Sequence, residues 1–332
     1  ESFIDSPFFF VLYIIIMPSF LKFNISKFII ITISFSVLYS ATDTDKNKSK
    51  EFSYKYNCKN LDINEIVSDE KIDGVIISTP GKTHFKIAQK IIKSKKHVFI
   101  EKPMTINLSD AIELEKLAKR VNVQIMIGHL IRYHPGFIKL LEILKSGSIG
   151  KIRHITANRV AFGRILKDES VIYDLYPHDL SLILEICNSI PKIINSTAIC
   201  YINKTIADIA NTILHFKENI TVSMNASWIN PKKEHKFVVI GTLGSIVFDD
   251  TNPWKEKVLL FRDIIQNENN EIKTFREKVE KIKLSEKEPL EEELLHFMKV
   301  CKSGATPLTN AKEGVKVQRV LDKIIKKTVI VN

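Results

Sequence analysis

Short apolar runs alternate with longer amphipathic segments over roughly the first 130 residues of the chain. Runs of strand length separated by segments of helical periodicity are typical of a parallel sheet with helices on both faces. The predicted strands are 9–16, 37–41, 73–80, 97–100 and 123–128. The predicted helices are 24–35, 46–56, 83–94 and 109–121, the last with Ser109 as its N-cap.

The pattern changes after about residue 128. A helix at 135–146 precedes β-rich segments joined by short polar turns, which predicts a mostly antiparallel sheet. The predicted strands are 151–162, 193–201, 207–216, 220–228, 236–240 and 245–248. Pro177 suits the first position of a helix that continues to Ile186, and further helices are predicted at 291–302 and 311–327. The sequence thus predicts an α/β first domain over 1–127, an α+β domain over 128–305 and a C-terminal helix within 306–332.

Composition narrows the class of protein. At 332 residues the chain has room for two cored domains, and its formal net charge is +11. The lysines are spread along the chain and no nucleic-acid-binding motif or zinc spacing is present, so we predict neither a nucleic-acid partner nor a metal site. An anionic substrate or cofactor, or simply solvated lysine-rich faces, explains the charge. Four scattered cysteines favour a reduced, cytoplasmic setting.

The amino-terminal segment is unusual in two respects. Its apolar runs, 8–17 and 28–38, are each shorter than the roughly 20 residues that a membrane helix needs, which favours a buried strand and helix over a membrane anchor. No glycine precedes Gly74. Where a dinucleotide-binding domain carries G-x-G-x-x-G, residues 17–22 read Met-Pro-Ser-Phe-Leu-Lys.

Candidate chemistry follows the predicted parallel strands. Ligands of doubly wound sheets bind beyond the carboxyl ends of the strands, where Glu101, Lys102 and Pro103 follow 97–100. A lysine there is suited to proton transfer if its pKa is lowered, although a surface turn is the simpler interpretation. Asp43 ends the second strand and is a candidate for the ribose hydroxyls of NAD, with Asp45 as the alternative.

Two further clusters extend this list. Residues Ser78, Thr79, Pro80 and His84 surround the end of the strand 73–80, where they could contact a nicotinamide ribose or ring or simply form a turn. Asp174 and His178 lie at the start of the helix predicted from Pro177. A neutral imidazole near a carboxylate suits proton transfer at physiological pH, whereas a capping or packing histidine is the alternative.

Taken in order, these motifs resemble the Gfo/Idh/MocA oxidoreductases. The resemblance rests on Ile77–Pro80, Glu101–Pro103, Gly128–Pro135, Asp174-x-x-x-His178 and the tail with Glu288–Leu290, Glu293, Phe297 and Pro307–Ala311. It covers about residues 37–326. The chain looks most similar to members that oxidise nucleotide sugars, such as UDP-N-acetylglucosamine 3-dehydrogenases and related UDP-sugar dehydrogenases.

The resemblance implies a Rossmann-like domain followed by a substrate-binding domain whose open sheet forms homodimers or homotetramers, with the final helix packing back on the first domain. It implies hydride transfer between a sugar or nucleotide-sugar carbon and NAD, with NADP as the alternative cofactor. Lys102 would bind the reacting hydroxyl and the cofactor ribose, His178 would move the proton and Asp174 would orient the substrate. Cofactor contacts are expected from Asp43, Ser78, Thr79, Pro80, His84, Glu101, Lys102 and Arg132, and a substrate contact from Tyr133. Arg159 and Arg164 are substrate-binding candidates for a nucleotide diphosphate, since a guanidinium pairs with phosphate through two hydrogen bonds, and a strand arginine that faces solvent is the alternative.

Residues 1–36 depart from this family pattern because Phe20 and Leu21 stand where backbone N–H groups should meet phosphate. Three explanations are open. The segment is the product of a frameshift in a damaged gene, the chain is a relative that keeps the scaffold without the cofactor, or the amino terminus is a hydrophobic appendage. We favour the first, because the motifs downstream are intact and the chain does not begin with Met.

Overall fold

The computed structural model describes residues 12–16, 38–43, 45–163, 165–167, 169–268 and 270–331. The predicted helix 24–35, residues 17–22 and Arg164 lie outside the described residues. The strands are β1 (Leu12–Ile16), β2 (Leu38–Thr42), β3 (Lys59–Asn60), β4 (Gly74–Ser78), β5 (His97–Ile100), β6 (Ile125–Ile127), β7 (Ile152–Phe162), β8 (Ile193–Ile199), β9 (Ile209–His215), β10 (Thr221–Ser227), β11 (Ile229–Gly241), β12 (Ser245–Asp249), β13 (Val258–Phe261), β14 (Ile264–Glu268), β15 (Glu271–Phe275), β16 (Glu280–Lys281) and β17 (Thr328–Val331). The helices are α1 (Lys46–Lys55), α2 (Ile63–Ser68), α3 (Gly81–Lys93), α4 (Leu108–Val121), α5 (Pro135–Lys145), α6 (Val171–Cys187), α7 (Pro289–Ser303) and α8 (Ala311–Lys327).

A parallel sheet organises the first of two compact units, which combines residues up to His129 with Leu290–Gln318. Its strand order is β3-β2-β1-β4-β5-β6, and each neighbouring pair is parallel. Strands β4, β5 and β6 consist mainly of buried residues, as expected when helices cover both faces of a parallel sheet. The sheet confirms the predicted Rossmann-like architecture, with β1 paired between β2 and β4.

The helices of this unit bury one apolar face each. On α3 and α4 the buried residues recur at helical spacing and pack into the core of the sheet: Ala88, Ile91, Ile92, Ala111, Leu114, Leu117 and Ala118. The N-cap of α4 is Asn107 rather than the predicted Ser109, which lies inside the helix. A polar residue within two positions of a helix start fits either place, so the pattern alone did not separate them.

Helix α7 groups with the first unit, whereas the sequence placed the boundary after residue 305. The reason is its apolar face. The Phe297 ring meets Phe99 of β5 edge to face at 5.7 Å. A Cβ at Gly74 would lie 2.4 Å from the Cys301 sulphur, so the glycine allows α7 to approach β4 closely. Helix α8 is divided, since its residues up to Gln318 belong to the first unit and those from Arg319 belong to the second.

The second unit, Leu130–Pro289 with 319–332, is built on a nine-stranded sheet in the order β16-β13-β12-β11-β7-β10-β9-β8-β17. Pairing is antiparallel except between β7 and β10 and between β8 and β17. This confirms the predicted large, mostly antiparallel sheet. Strand β11 begins at Ile229 rather than 236, and the sequence did not predict the hairpin β14–β15, helix α2 or the strand β17.

Helix α6 corrects the reading of Pro177. The helix begins at Val171, so Pro177 lies inside it rather than at its first position. Proline removes one helical hydrogen bond there, but apolar residues on both sides of it are buried, including Ile172, Tyr176 and Leu180. Tertiary packing therefore outweighs the local preference of proline for a helix start.

Candidate functional site

The loop after β4 is held in a fixed conformation at the carboxyl edge of the parallel sheet. The Thr83 hydroxyl lies 2.6 Å from Oγ1 of Thr79 and donates to the Pro80 carbonyl at 2.8 Å. Pro80 is the N-cap of α3 and offers no side-chain cap. Ser78 is the last residue of β4, so the predicted residues Ser78, Thr79 and Pro80 lie together at this edge.

His84 connects this loop to the next one. Its ring is fully buried, with Nε2 at 2.7 Å from the Thr79 carbonyl oxygen and Nδ1 at 2.8 Å from the Pro103 carbonyl oxygen. Burial lowers the pKa of His84, and the hydrogen bonds to the two carbonyls partly offset that effect. Because both nitrogens face protein carbonyls, the predicted cofactor contact is replaced by a role in shaping the two loops.

Glu101 and Lys102 follow β5 directly, and both are half-buried. The Lys102 amide donates to Oε2 of Glu101 at 3.3 Å, and the Lys102–Pro103 peptide is cis. Gly128, at the end of β6, lies against the same carboxylate, since a Cβ there would be 2.9 Å from Oε2 of Glu101. Any larger residue at 128 would displace Glu101, which explains the glycine at this point of the Gly128–Pro135 motif.

A second acid lies behind Glu101 that the sequence did not single out as functional. Glu293 of α7 is 1% exposed, and its Oε1 has no hydrogen-bond partner within the part of the chain that the structure describes. Burial raises the pKa of Glu293 well above its ordinary value, and the nearby charge of Glu101 raises it further. Burial also raises the pKa of Glu101, while Lys102 and His129 lower it. Burial and the charge of Glu101 thus both favour the protonated form of Glu293.

His129 completes this edge of the first unit. Its Nδ1 lies 2.7 Å from Oε2 of Glu313 on α8, and the imidazole is 2% exposed. Glu313 thereby ties the loop after β6 to α8. These partners lie 184 residues apart, so no local sequence pattern indicates the pair.

At the second strand, the structure distinguishes the two candidate aspartates. Asp45 is the N-cap of α1 and accepts hydrogen bonds from the amides of Asn47 and Lys48. Asp43 follows β2 directly, and its Oδ1 accepts from the Asp45 amide at 2.8 Å. Asp45 is therefore committed to capping, which leaves Asp43 as the candidate for a ribose. Together, the carboxylate after β2 and the polar loops after β4 and β5 fit the ribose and nicotinamide parts of NAD.

In the second unit, Asp174 and His178 stand one turn apart on α6, because the helix begins earlier than predicted. Residues four apart share one helix face. Asp174 is 3% exposed, and its Oδ2 accepts a hydrogen bond of 3.1 Å from the indole N–H of Trp228. Trp228 follows β10 directly, so the sheet positions this carboxylate.

Arg132 and Tyr133 are both buried in the second unit, on the 3₁₀ turn Leu130–Tyr133. The Arg132 guanidinium is 2% exposed, forms a 2.8 Å ion pair with Glu185 and donates to the Ser181 carbonyl at 3.4 Å. It thus holds this turn against α6. The expected ligand contacts of Arg132 and Tyr133 stay predictions.

Arg159 serves a different purpose from the phosphate contact that the sequence suggested. Its guanidinium donates to both carboxylate oxygens of Asp179 at 2.7–3.1 Å, and both side chains are less than a tenth exposed. A buried arginine whose fork is filled by a carboxylate has no equivalent face left for a phosphate. The sequence missed this pair because its members lie 20 residues apart in different elements.

Two absences hold for the described residues. Within those ranges, no group of three or more His, Cys, Asp or Glu side chains is arranged to hold a metal ion. Among the same residues, no helix combines the length and the apolar character needed to cross a bilayer.

Two family models match the chain. One, described as an oxidoreductase family with an NAD-binding Rossmann fold, matches residues 28–129, and the Gfo/Idh/MocA C-terminal domain matches residues 137–247. The first match begins after the position of the missing glycine loop. Together they span both units of the fold.

Two individual relatives are each less than 30% identical to this chain. Myo-inositol 2-dehydrogenase of Thermotoga maritima is 25% identical over 292 residues, which are 84% of this chain and 85% of that protein. UDP-N-acetylglucosamine 3-dehydrogenase of Acidithiobacillus ferrooxidans is 28% identical over 193 residues, 58% of this chain and 60% of that protein.

Solved structures show the same fold over nearly the whole chain. The structure of the Acidithiobacillus ferrooxidans UDP-N-acetylglucosamine 3-dehydrogenase superimposes with a TM-score of 0.80 at 19% identity, covering 96% of this chain and 97% of that one. A 3-ketoreductase from Actinomadura kijaniata, in complex with TDP-benzene and NADP, superimposes with a TM-score of 0.80 at 13% identity, covering 97% and 99%.

Proposed function

Since the chain belongs to the Gfo/Idh/MocA family of NAD-binding oxidoreductases, we propose that it transfers a hydride between a hydroxyl-bearing carbon of a nucleotide sugar and NAD or NADP. The proposed substrate is a UDP-N-acetyl sugar, oxidised at C3. The observation that carries the dehydrogenase assignment is the Asp174–His178 pair, one turn apart on α6 with the carboxylate fixed by Trp228.

The proposed chemistry assigns one task to each group. Oxidation of a secondary alcohol removes a hydride from carbon and a proton from oxygen. His178 takes the hydroxyl proton, Asp174 orients the substrate, and Lys102 donates a hydrogen bond to the reacting oxygen and stabilises its developing negative charge. The cofactor, when bound, supplies the hydride acceptor. In the first unit, Glu101 accepts from the Lys102 amide and so fixes the backbone from which that lysine extends.

Asp43 supports NAD over NADP, because a carboxylate at the end of the second strand accepts from ribose hydroxyls and repels a 2′-phosphate. Asp45 is already engaged as the α1 N-cap, which strengthens this assignment to Asp43.

The open face of the large sheet supports a homodimer or homotetramer. Paired residues across β8, β9, β10, β7, β11 and β12 place two adjacent rows on one face, and neither row contains Asp, Glu, Lys or Arg. These rows are Asn195, Ile213, Ser223, Thr156, Val238 and Val247, and Ile193, His215, Thr221, His154, Ile240 and Ser245. Two rows without formal charge and with exposed isoleucines suit burial against a second copy. Light scattering tests this: Ile213→Lys should reduce the oligomer to monomers, and a monomeric wild type contradicts it.

An assay of the purified protein tests the substrate and the reaction. NAD with UDP-N-acetylglucosamine should give absorbance at the reduced-nicotinamide band, whereas myo-inositol, the substrate named for the Thermotoga maritima relative, should give little. Turnover of myo-inositol but not of UDP-N-acetylglucosamine would support the proposed dehydrogenase reaction and contradict the proposed nucleotide-sugar substrate.

One observation favours a second candidate, a scaffold without cofactor affinity. No glycine precedes Gly74, and the family match begins only at residue 28. Calorimetric titration with NAD and NADP separates the two: heat of binding supports the enzyme, and its absence with both cofactors supports the scaffold or a damaged gene. Resequencing the gene distinguishes these last two, since a glycine loop in another frame identifies damage.

A further inference from the structure

A buried ion pair begins at the residue that follows His178. The Asp179 carboxylate is 6% exposed and accepts three hydrogen bonds from Arg159: from Nε to Oδ1 at 3.1 Å, from Nε to Oδ2 at 3.0 Å, and from Nη2 to Oδ1 at 2.7 Å. A planar guanidinium that engages both oxygens fixes the orientation of the carboxylate as well as its distance. The pair therefore constrains the rotation of α6 at this point.

The arginine itself is held firmly. Arg159 lies within β7, where it pairs with Ala226 of β10 on one side and with His235 of β11 on the other. A residue with strands on both sides has little freedom to shift along the sheet. The nine-stranded sheet thus acts as the fixed reference against which α6 is placed.

The helix needs such anchoring at this turn. Pro177 lies inside α6 and has no N–H for a helical hydrogen bond, which weakens the helix immediately before His178. Two side-chain contacts to the sheet bracket the weak turn. Trp228 holds Asp174 on its amino-terminal side, and Arg159 holds Asp179 on its carboxyl-terminal side.

The surroundings preserve the charges of the pair. His235 lies opposite Arg159 on β11, and its pKa is lowered to about 3 by burial and then by the charges of Arg159 and Lys233. It is therefore neutral near physiological pH and does not compete for Asp179. Two further charges act on the pKa of His235: Lys257 lowers it and Asp250 raises it. Lys257 and Asp250 form an ion pair with each other at 2.8 Å.

We infer that Arg159 and Asp179 form a positioning device for the imidazole of His178, holding it at the angle from which it exchanges a proton with the substrate hydroxyl. This inference rests on the proposed function, in which His178 moves that proton. A buried ion pair is a poor source of net stability, since removing two charges from water offsets most of their attraction. Its value here lies in the geometry that it imposes on the neighbouring residue.

Two substitutions test the pair. Asp179→Asn keeps the shape and removes the charge, while Arg159→Lys keeps the charge and removes the fork. With NAD and UDP-N-acetylglucosamine, each should lower kcat about tenfold or more, with the calorimetric affinity for NAD unchanged.

The double variant His178→Ala with Asp179→Asn should be no slower than His178→Ala alone, because a residue that acts only through His178 has no further effect without it. The matched control is Asp250→Asn, which breaks the Lys257 pair and should leave kcat within about twofold.

A readout that does not depend on turnover is the NMR spectrum of protein with isotope-labelled histidines. The signal that is lost in His178→Ala identifies His178 among the nine histidines. In Asp179→Asn the Arg159 charge is no longer compensated, so the His178 signal should move and its titration midpoint should fall to lower pH. Unchanged kcat and an unmoved His178 signal in both variants would overturn the inference. Should Asp179→Asn not fold, Arg159→Lys decides by the same readouts. Full activity of His178→Ala would instead reject the proposed function.

Discussion

The indole N–H of Trp228 donates a hydrogen bond of 3.1 Å to Oδ2 of Asp174, across 54 residues of sequence. Trp228→Phe keeps the aromatic ring and removes this donor. A hydrogen bond to a charged group contributes roughly 1.5 kcal/mol, so we expect kcat/KM for the sugar substrate to fall about tenfold. The chain has one other tryptophan, Trp254, which stacks on His134, and Trp254→Phe is therefore the matched control. Equal kcat/KM values in the two variants would show that Trp228 has no part in the reaction.

Lys102 follows β5 directly, and we expect Lys102→Ala to lower kcat by about 100- to 10,000-fold, because it removes the ammonium proposed to bind the reacting oxygen. The measurement is the rate of absorbance increase at the reduced-nicotinamide band. Lys86→Ala, an exposed lysine of α3, is the control and should react at the wild-type rate. A fully active Lys102→Ala enzyme would show that the loop after β5 has no part in the reaction.

Asp43 should decide the choice of cofactor. Its replacement by Ala removes the charge that repels a 2′-phosphate, and like charges in contact cost on the order of a few kcal/mol. We therefore expect the ratio of kcat/KM for NADP to that for NAD to rise about tenfold or more. Asp45→Ala, two residues later, should instead cost about 1 kcal/mol of stability through loss of the α1 N-cap, with the cofactor ratio unchanged. An unchanged ratio in Asp43→Ala assigns the ribose contact to another residue.

The raised pKa of Glu293 predicts that the stability of the protein depends on pH. Its pKa is raised in the folded protein, so its contribution to stability is complete below the ordinary pKa of a glutamate and is lost as the pH rises through the folded value. Glu293→Gln stays neutral throughout. The melting temperature of the variant should therefore gain on the wild type between pH 5 and pH 8, as measured by calorimetry. A constant difference between the two proteins over that range would mean that folding does not raise the pKa of Glu293.

Local pattern sufficed for most of the fold. Buried runs such as His97–Ile100 and the amphipathic Ala311–Lys327 are confirmed to the residue, because the pattern of burial fixes both their type and their length. Pro177 was placed wrongly because a local preference gave way to packing in α6. Candidate site residues could be proposed from the sequence where they are adjacent to one another, as in Glu101–Pro103, and their roles stay predictions.

Side-chain partners could not be found in this way. Arg159 was expected to bind phosphate, since a basic residue on a strand shows nothing of the carboxylate that lies against it on another element. The same limit applies to Glu293, whose burial beside Glu101 depends on how α7 packs on the sheet. Such pairs are a product of the tertiary fold.

The His84 imidazole joins the backbone after β4 to the backbone after β5, at Thr79 and Pro103. A shift in either segment is therefore transmitted to the other. Random mutagenesis scored only by turnover would rank His84 beside true participants in the reaction, although its ring is fully buried between two backbone carbonyls. Only separate measurements of nucleotide affinity and of catalytic rate would reveal that both decline together, the signature of a mechanical link.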